Sequence, residues 1–366
     1  MKNLISIVNE FITEGQVKAI EPFGSGHIND SYLVTTIPGS AQDYVLQRIN
    51  HQIFKNVPQL MDNIMNVTRH IKVRLQSDSN PVKDFLIYQL IGTRTGSYFY
   101  QDNMGQYWRL MDFIRDSTSF DMVESPDMAF EAGKAFGNFQ MLTSDLAASS
   151  LFEILPDFHD IDYRFENFRK AVTQNPANRV KETLPEISFA ETRAEEMHTI
   201  VHLGNQGLIP LRVTHNDTKF NNVLFTPDKK AISVVDLDTV MPGYILYDFG
   251  DAIRTGASSG SEDDADLSRV NIDLKLFEAY SRGYLNIARN FVNPVEIKHL
   301  AFSAKFMTYL IGLRFLTDHI NGDHYFKIGF PNHNLQRARA QFKLLQSMED
   351  HYQEMQEIID FIAYFA

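Results

Sequence analysis

The stretch RVTHNDTKFNNVLF, residues 212–225, restricts the fold more than any other part of the chain. It sets His215, Asn216, Asp217, Lys219, Asn221 and Asn222 between apolar residues of strand type. Buried strands carry so many polar groups only where hydrogen bonding or chemistry requires them. After Asn222 come VLF, the turn-forming TPDKK, AISVV and then Asp236, which predicts a β-hairpin. With the turn centred on Lys229, Phe225 faces Ser233 and Asn222 faces Asp236. Opposed residues of an antiparallel pair lie roughly 4.5–5.5 Å apart. An amide oxygen and a carboxylate side by side suit a hard divalent cation with oxygen ligands. Asp217, in the loop before the hairpin, is then placed to take a proton from a hydroxyl nucleophile.

Whole-chain properties agree with a two-lobed enzyme. The 366 residues suffice for two domains or one large bilobal one, and 44% hydrophobic content supplies a core. The absence of cysteine excludes disulfides, thiolate metal sites and a Cys nucleophile. The opening MKNLISIVNEFITEGQ reads as an amphipathic helix and not a signal peptide, and no 18-residue apolar run predicts a membrane span. A cytoplasmic protein is expected. The net charge of −12 argues against nucleic acid as a partner but not against a nucleotide, which needs only a local cationic site.

Residues 17–50 alternate as a β-meander, VKAIEPF, SYLVTTI and DYVLQRI, and 54–76 follow as a helix. DFLIYQLIG and QYWRLMDFI restore strand character. From about Asp127 helical periodicity dominates, including one helix over 184–204, apart from the strands of 210–240. The division expected is a nucleotide-binding lobe at 1–111 and a helical lobe at 112–366 that carries the catalytic loop and acceptor site. SEDDAD at 261–266 reads as a solvated loop.

His215 to Asn222 has the form H-x-D-x-x-x-x-N of a kinase catalytic loop, with a second Asp in VVDLDT. Together with GSGHINDSYLV, DLDTVMPGYILYDFGDAIR and RFLTDHINGDHYF, it resembles the aminoglycoside phosphotransferase and choline kinase superfamily, most closely its N-acetylhexosamine 1-kinase branch. The resemblance covers nearly the whole chain. It implies an α+β, bilobal, protein-kinase-like fold, with a β-rich N-lobe and a helical C-lobe holding a short catalytic hairpin. It further implies ATP and Mg²⁺, a small-molecule sugar acceptor, Asp217 as base and Lys219 on the transferring phosphoryl group.

The metal ligands expected are Asn222 and Asp236. The literal D-F-G at Asp248–Gly250 has no strand pairing it to Asn222, so Asp248 is read as an N-cap or loop anchor. Asp238 either supports the metal ligand or meets a second Mg²⁺. His215 is read as structural and Asn221 as a turn residue.

Gly24, Ser25 and Gly26 lie between two strands, where they permit close backbone approach to phosphate. Gln47 and Arg48 point to opposite strand faces; Arg48 is preferred because phosphate needs charge, with Asp62 as its acidic partner. The backbone from Met111 to Phe113 is expected at the adenine. Family likeness makes His159, Asp160 and Arg164, and likewise Arg314, Asp318 and Tyr325, acceptor-site candidates.

The activity expected is phosphorylation of the anomeric hydroxyl of an N-acetylhexosamine. The alternatives are another alcohol acceptor, of aminoglycoside, choline or homoserine type, and an inactive binding protein of kinase fold.

Overall fold

The computed structural model describes residues 2–24, 28–37, 42–77, 82 and 84–365. The alternating segments near the N-terminus fold as the meander expected. Helix α1 (Lys2–Val8) leads into β1 (Val17–Pro22), β2 (Asp30–Thr36) and β3 (Tyr44–Ile49). Helix α2 (Val57–Leu75) follows, with the Asn56 side chain accepting the Gln59 N–H at its start. Strands β4 (Tyr100–Gln101) and β5 (Tyr107–Asp112) complete an antiparallel sheet of order β1-β2-β3-β5-β4. One apolar cluster, with Phe11, Val34, Leu46 and Leu110, joins the sheet to the end of α1. The buried stripe of α2 belongs instead to the larger core that runs through the helical part.

Residues 84–92 do not form the strand expected of them. Ile91 donates its N–H to Leu110 while Leu86 donates to Ile232. The segment therefore crosses from the sheet to the hairpin and pairs for too short a distance on either to make a ladder.

The C-terminal part contains α3 (Pro126–Thr143), α4 (Ile161–Gln174), α5 (Leu184–Met197) and α6 (Thr199–Asn205). The single helix expected over 184–204 breaks at His198, whose ring Nδ1 meets the Ala194 carbonyl at 2.7 Å. Then come β6 (Arg212–Thr214), β7 (Val223–Phe225), β8 (Ala231–Val234) and β9 (Met241–Gly243), paired β6 with β9 and β7 with β8. Helices α7 (Ile245–Gly256), α8 (Leu274–Ala288), α9 (Pro294–Lys298), α10 (Leu300–Asn321), α11 (His333–Asp350) and α12 (Tyr352–Tyr364) close the chain.

Helix α10 is apolar almost all round because α4, α7 and α11 cover it. At Gly250 of α7 a Cβ would lie 2.2 Å from the Ser303 carbonyl oxygen, so the two helix backbones touch. That crossing sets α7 directly behind the loop between β6 and β7.

The hairpin is real, but its register differs by one residue from the expectation. Leu224 faces Ser233, and the Val235 N–H donates to the Asn222 carbonyl at 2.9 Å. Asn222 thus lies opposite Val235, not Asp236. The turn closes between Thr226 and Lys230, which centres it on Asp228, and a bulge at Ile232 offsets only part of that shift.

Candidate active site

The loop from His215 to Asn222 is held from behind by α7. The buried Asp248 carboxylate accepts the backbone N–H groups of His215 (2.9 Å) and Asn216 (2.7 Å) and the Gln140 amide (2.9 Å). The Thr218 hydroxyl donates to the Asp248 carbonyl at 2.6 Å, and its N–H donates to Asp251 at 3.1 Å. Asp251 in turn pairs with Arg254 at 2.8 Å. Asp248 is therefore a loop anchor; the N-cap position itself belongs to Tyr244. Burial pushes the Asp248 carboxyl up, against the backbone donors of His215 and Asn216 and the Gln140 amide.

His215 ties the loop together with both ring nitrogens. Its Nδ1 accepts the Asp217 N–H at 3.3 Å, so Nε2 carries the proton it shares with the Val235 carbonyl at 3.0 Å. Asn216 takes a left-handed φ of 63°, which turns Asp217 outward from this scaffold. Lys219 Nζ lies 3.0 Å from Asp217 Oδ1. The Asn222 amide donates to the Asp217 carbonyl at 2.8 Å and approaches Asp217 Oδ2 at 3.4 Å. Burial raises the Asp217 carboxyl, but Lys219 beside it, with Arg254 further off, outweighs burial and holds it below the usual carboxylate range. Asp217 in return raises the Lys219 ammonium.

Asp236 follows the hairpin in left-handed backbone, φ 61° and ψ 59°. The cleft walls, then the charges of Asp238 and Asp217, push its carboxyl up to about 7, against Arg109 and Lys219. Its carboxylate is nonetheless exposed to solvent. A magnesium ion fits these residues. The Asn222 nitrogen is engaged with Asp217, which leaves Asn222 Oδ1 free to coordinate, and the crowded negative charge at Asp236 calls for a cation. Among the described residues no three His, Asp or Glu converge as ligands. Two protein ligands suit a cation that keeps water and phosphate oxygens around it.

Asp238 does not share that open position. It is buried, and its two oxygens take the Asn29 amide (2.6 Å) and the Arg109 guanidinium. Arg109 also donates to Gln47 Oε1 through Nε (2.9 Å) and Nη2 (2.6 Å). Gln47 on β3 is opposite Arg109 on β5 and both turn inward. Arg48 points the other way: it is exposed and pairs with Asp30. The cation on the inward face of the sheet is therefore Arg109, buried against Asp238, and not Arg48. Asp62 is exposed on α2 and pairs with neither; its neighbour Asn63 is the buried one, donating to the Val240 and Phe152 carbonyls.

Gly24 is exposed at φ 77°, a conformation that favours glycine, while Ser25 and Gly26 lie outside the described residues. Met111 is buried between β3 and residues 89–91. The Phe113 N–H donates to Asp43 and its carbonyl accepts the Gln42 amide, so both backbone groups of Phe113 are engaged within the lobe.

The model of the APH family, described as "Phosphotransferase enzyme family", matches residues 19–288. The chain belongs to this family. Solved structures similar to this phosphotransferase include an aminoglycoside phosphotransferase from Alicyclobacillus acidocaldarius (11% identity, 96% of each chain covered, TM-score 0.66). A choline kinase from Cryptosporidium parvum covers 99% of each chain at 14% identity and TM-score 0.61. A spectinomycin phosphotransferase in complex with ADP and spectinomycin covers 99% of this chain and 98% of its own at 11% identity and TM-score 0.51. The fold is accordingly the bilobal, protein-kinase-like one expected.

The six acceptor-site candidates of this phosphotransferase fall into two kinds. His159, Arg164, Arg314 and Tyr325 gather around Phe158. His159 Nε2 lies 3.3 Å from the Asn216 carbonyl, and Arg314 donates to the Tyr325 hydroxyl at 3.2 Å. Asp160 and Asp318 are occupied by local structure. Asp160 caps α4, and Asp318 accepts the N–H groups of His324, Tyr325 and Phe326.

Two groups escaped the sequence reading. Arg109 was signalled only as a lone charge inside the apolar run of β5. Glu262, in the largely exposed loop 261–266, pairs with Arg254 at 2.8 Å, and Arg254 in turn holds Asp251.

Proposed function

We propose that this phosphotransferase transfers the γ-phosphoryl group of ATP, with Mg²⁺, to the anomeric hydroxyl of an N-acetylhexosamine. The observation that carries the transfer chemistry is Asp217, a carboxylate held ionised with Lys219 at 3.0 Å on one oxygen and its backbone fixed by His215 and Asn222. The sugar and the anomeric position rest on the sequence resemblance. The nucleotide rests on family membership and on the ADP bound by a protein of the same fold.

In this reading the nucleotide lies between the sheet and the loop. Asn222 and Asp236 would hold Mg²⁺, which supplies charge neutralisation on the phosphates. Asp217 orients the acceptor hydroxyl and takes its proton as the oxygen–phosphorus bond forms. The bond from the γ-phosphorus to the bridging oxygen breaks, and ADP leaves. Lys219 offsets charge on the phosphoryl group, and Arg109 supplies the positive field from the sheet that Arg48 does not. His159 and Tyr325 line the acceptor side.

An ADP-release screen with phosphorus NMR of the product tests this. Phosphorylation of N-acetylglucosamine or N-acetylgalactosamine at C1 is the expected result. An ester at C6 removes the anomeric assignment, and turnover of choline or kanamycin with no sugar turnover removes the sugar.

A further inference from the structure

Two arginines beside the catalytic loop have no anionic partner. Arg314, on α10, is only 9% exposed. Its guanidinium lies over the rings of Phe158 (5.2 Å), Tyr325 (5.5 Å) and Phe326 (5.4 Å), and donates only to the Tyr325 hydroxyl. Arg164, at the start of α4, donates through Nε and Nη2 to a single neutral oxygen, the Phe158 carbonyl, at 3.3 and 3.0 Å. Phe158 thus joins the two. Among the described residues neither arginine has a carboxylate within ion-pairing distance.

Asp157 and Asp160 offset part of the Arg164 charge without contacting it, and two of the nearby acids are engaged elsewhere. Asp318 sits one turn after Arg314, but its oxygens hold the 324–326 backbone and the Asn334 amide. Asp160 is engaged as the cap of α4. Burial, then the Arg164 charge, push the Arg314 guanidinium down to about 10. Buried charges in folded proteins are ordinarily paired, and cation–π contacts recover only part of the lost hydration. Two unpaired guanidiniums in one wall therefore leave a site short of negative charge.

His159 adds a second requirement. Its side chain is 94% buried, its Nε2–H points to the Asn216 carbonyl, and its Nδ1 has no partner. Burial and the Arg314 charge push it down to about 3, so the ring is neutral and Nδ1 is an acceptor. That acceptor lone pair is left without a donor, on a ring whose other nitrogen meets the backbone of Asn216, next to Asp217.

We propose that the acceptor carries a carboxylate, seated on Arg164 and Arg314, as well as the hydroxyls that meet His159 and Asp217. This deepens the reading above and rests on it for the role of Asp217. The substrate class is an acidic amino sugar or sugar acid. A quaternary ammonium or an aminoglycoside would instead add positive charge to a wall that already holds two uncompensated cations.

The test compares matched acceptors by ADP release at low salt: N-acetylglucosamine, N-acetylmuramic acid, N-acetylglucosaminuronic acid, D-glycerate, glucosamine and choline. We expect kcat/KM for at least one of the carboxylate-bearing acceptors to exceed that of its neutral parent by about tenfold or more, as charge-assisted hydrogen bonds discriminate. Its KM should rise with salt while that of the neutral sugar stays level. Arg314→Gln and Arg164→Gln should each shrink the acidic-to-neutral ratio, and Arg314→Lys should restore part of it. The salt comparison uses the unaltered protein, so it stands even where a variant fails to fold.

Neutral or cationic acceptors preferred over every acidic one overturn the proposal, as does the absence of turnover on all acidic acceptors. If N-acetylglucosamine is phosphorylated at C1 and the acids are refused, this inference fails and the sugar kinase stands. If glycerate is taken and no sugar is, the carboxylate site stands and the sugar assignment fails.

Discussion

Arg109 on β5 and Asp238, two residues beyond Asp236, form a buried ion pair with side chains 1% and 4% exposed. It ties the sheet to the end of the catalytic hairpin. Asn29 grips the second oxygen of Asp238, and Gln47 steadies the other side of Arg109. The lobes are thus coupled through charge at the point where the phosphates are expected. Breaking one half of such a pair leaves the other buried and alone. Arg109→Gln is expected to cost about 3–5 kcal/mol of stability by urea unfolding, and to raise the KM for nucleotide. Arg48→Gln, on the exposed face, should change either quantity little. The reverse pattern would return the phosphate role to Arg48.

Asp217→Asn keeps the shape but cannot take a proton. Turnover should fall by about 10²–10⁴-fold, while nucleotide binding, followed by fluorescence titration, survives. Because Lys219 and its neighbours hold the carboxyl below the usual range, activity of the native enzyme should stay independent of Asp217 protonation down to acidic pH. Near-normal turnover of the amide variant would remove Asp217 from the role.

Asp236 and Asp248 should fail in different ways. Asp236→Asn is expected to fold normally and to need much more Mg²⁺ for residual activity, because its carboxylate is open to the cleft. Asp248→Asn leaves two backbone donors and the Gln140 amide sharing one remaining acceptor oxygen, since the amide nitrogen cannot accept. It should lower stability by about 1–3 kcal/mol with little change in the Mg²⁺ requirement. An exchange of these phenotypes would make the literal D-F-G the metal motif.

The raised Asp236 carboxyl gives a pH signature in the absence of divalent cation. A folded-state value above the unfolded one favours the protonated native state, so its contribution is complete below about pH 4. It is lost as pH rises towards about 7, the value to which the cleft and neighbouring acids push the group. Asp236→Asn should flatten this limb of the thermal-stability profile measured in EDTA. Added Mg²⁺ should stabilise the native protein more at pH 8 than at pH 5, since the ion and the proton compete for the same oxygens. Equal Mg²⁺ stabilisation at both values would take the ion away from Asp236.

Local chemistry determined which segments carry the site. The polar cluster of 215–222 between apolar strands, the Pro-Asp turn and the alternation of 17–49 each follow from near neighbours, and those elements form where expected. The exact partners were decided by contacts distant in sequence. The hairpin register moved because the turn closes on Asp228 and a bulge at Ile232 takes back only part of that shift, and the local sequence marks neither. The choice between Arg48 and Arg109 depends on which strand face the hairpin meets, a contact spanning 129 residues. Asp318 looked like a ligand until the chain after Gly322 folded back to occupy it. A side chain's identity fixes what it can bond. Only packing fixes whether a backbone group or neighbouring charge has already claimed it, and it is on that ground alone that Arg164 and Arg314, without a carboxylate in contact, and the unpartnered His159 Nδ1 become visible.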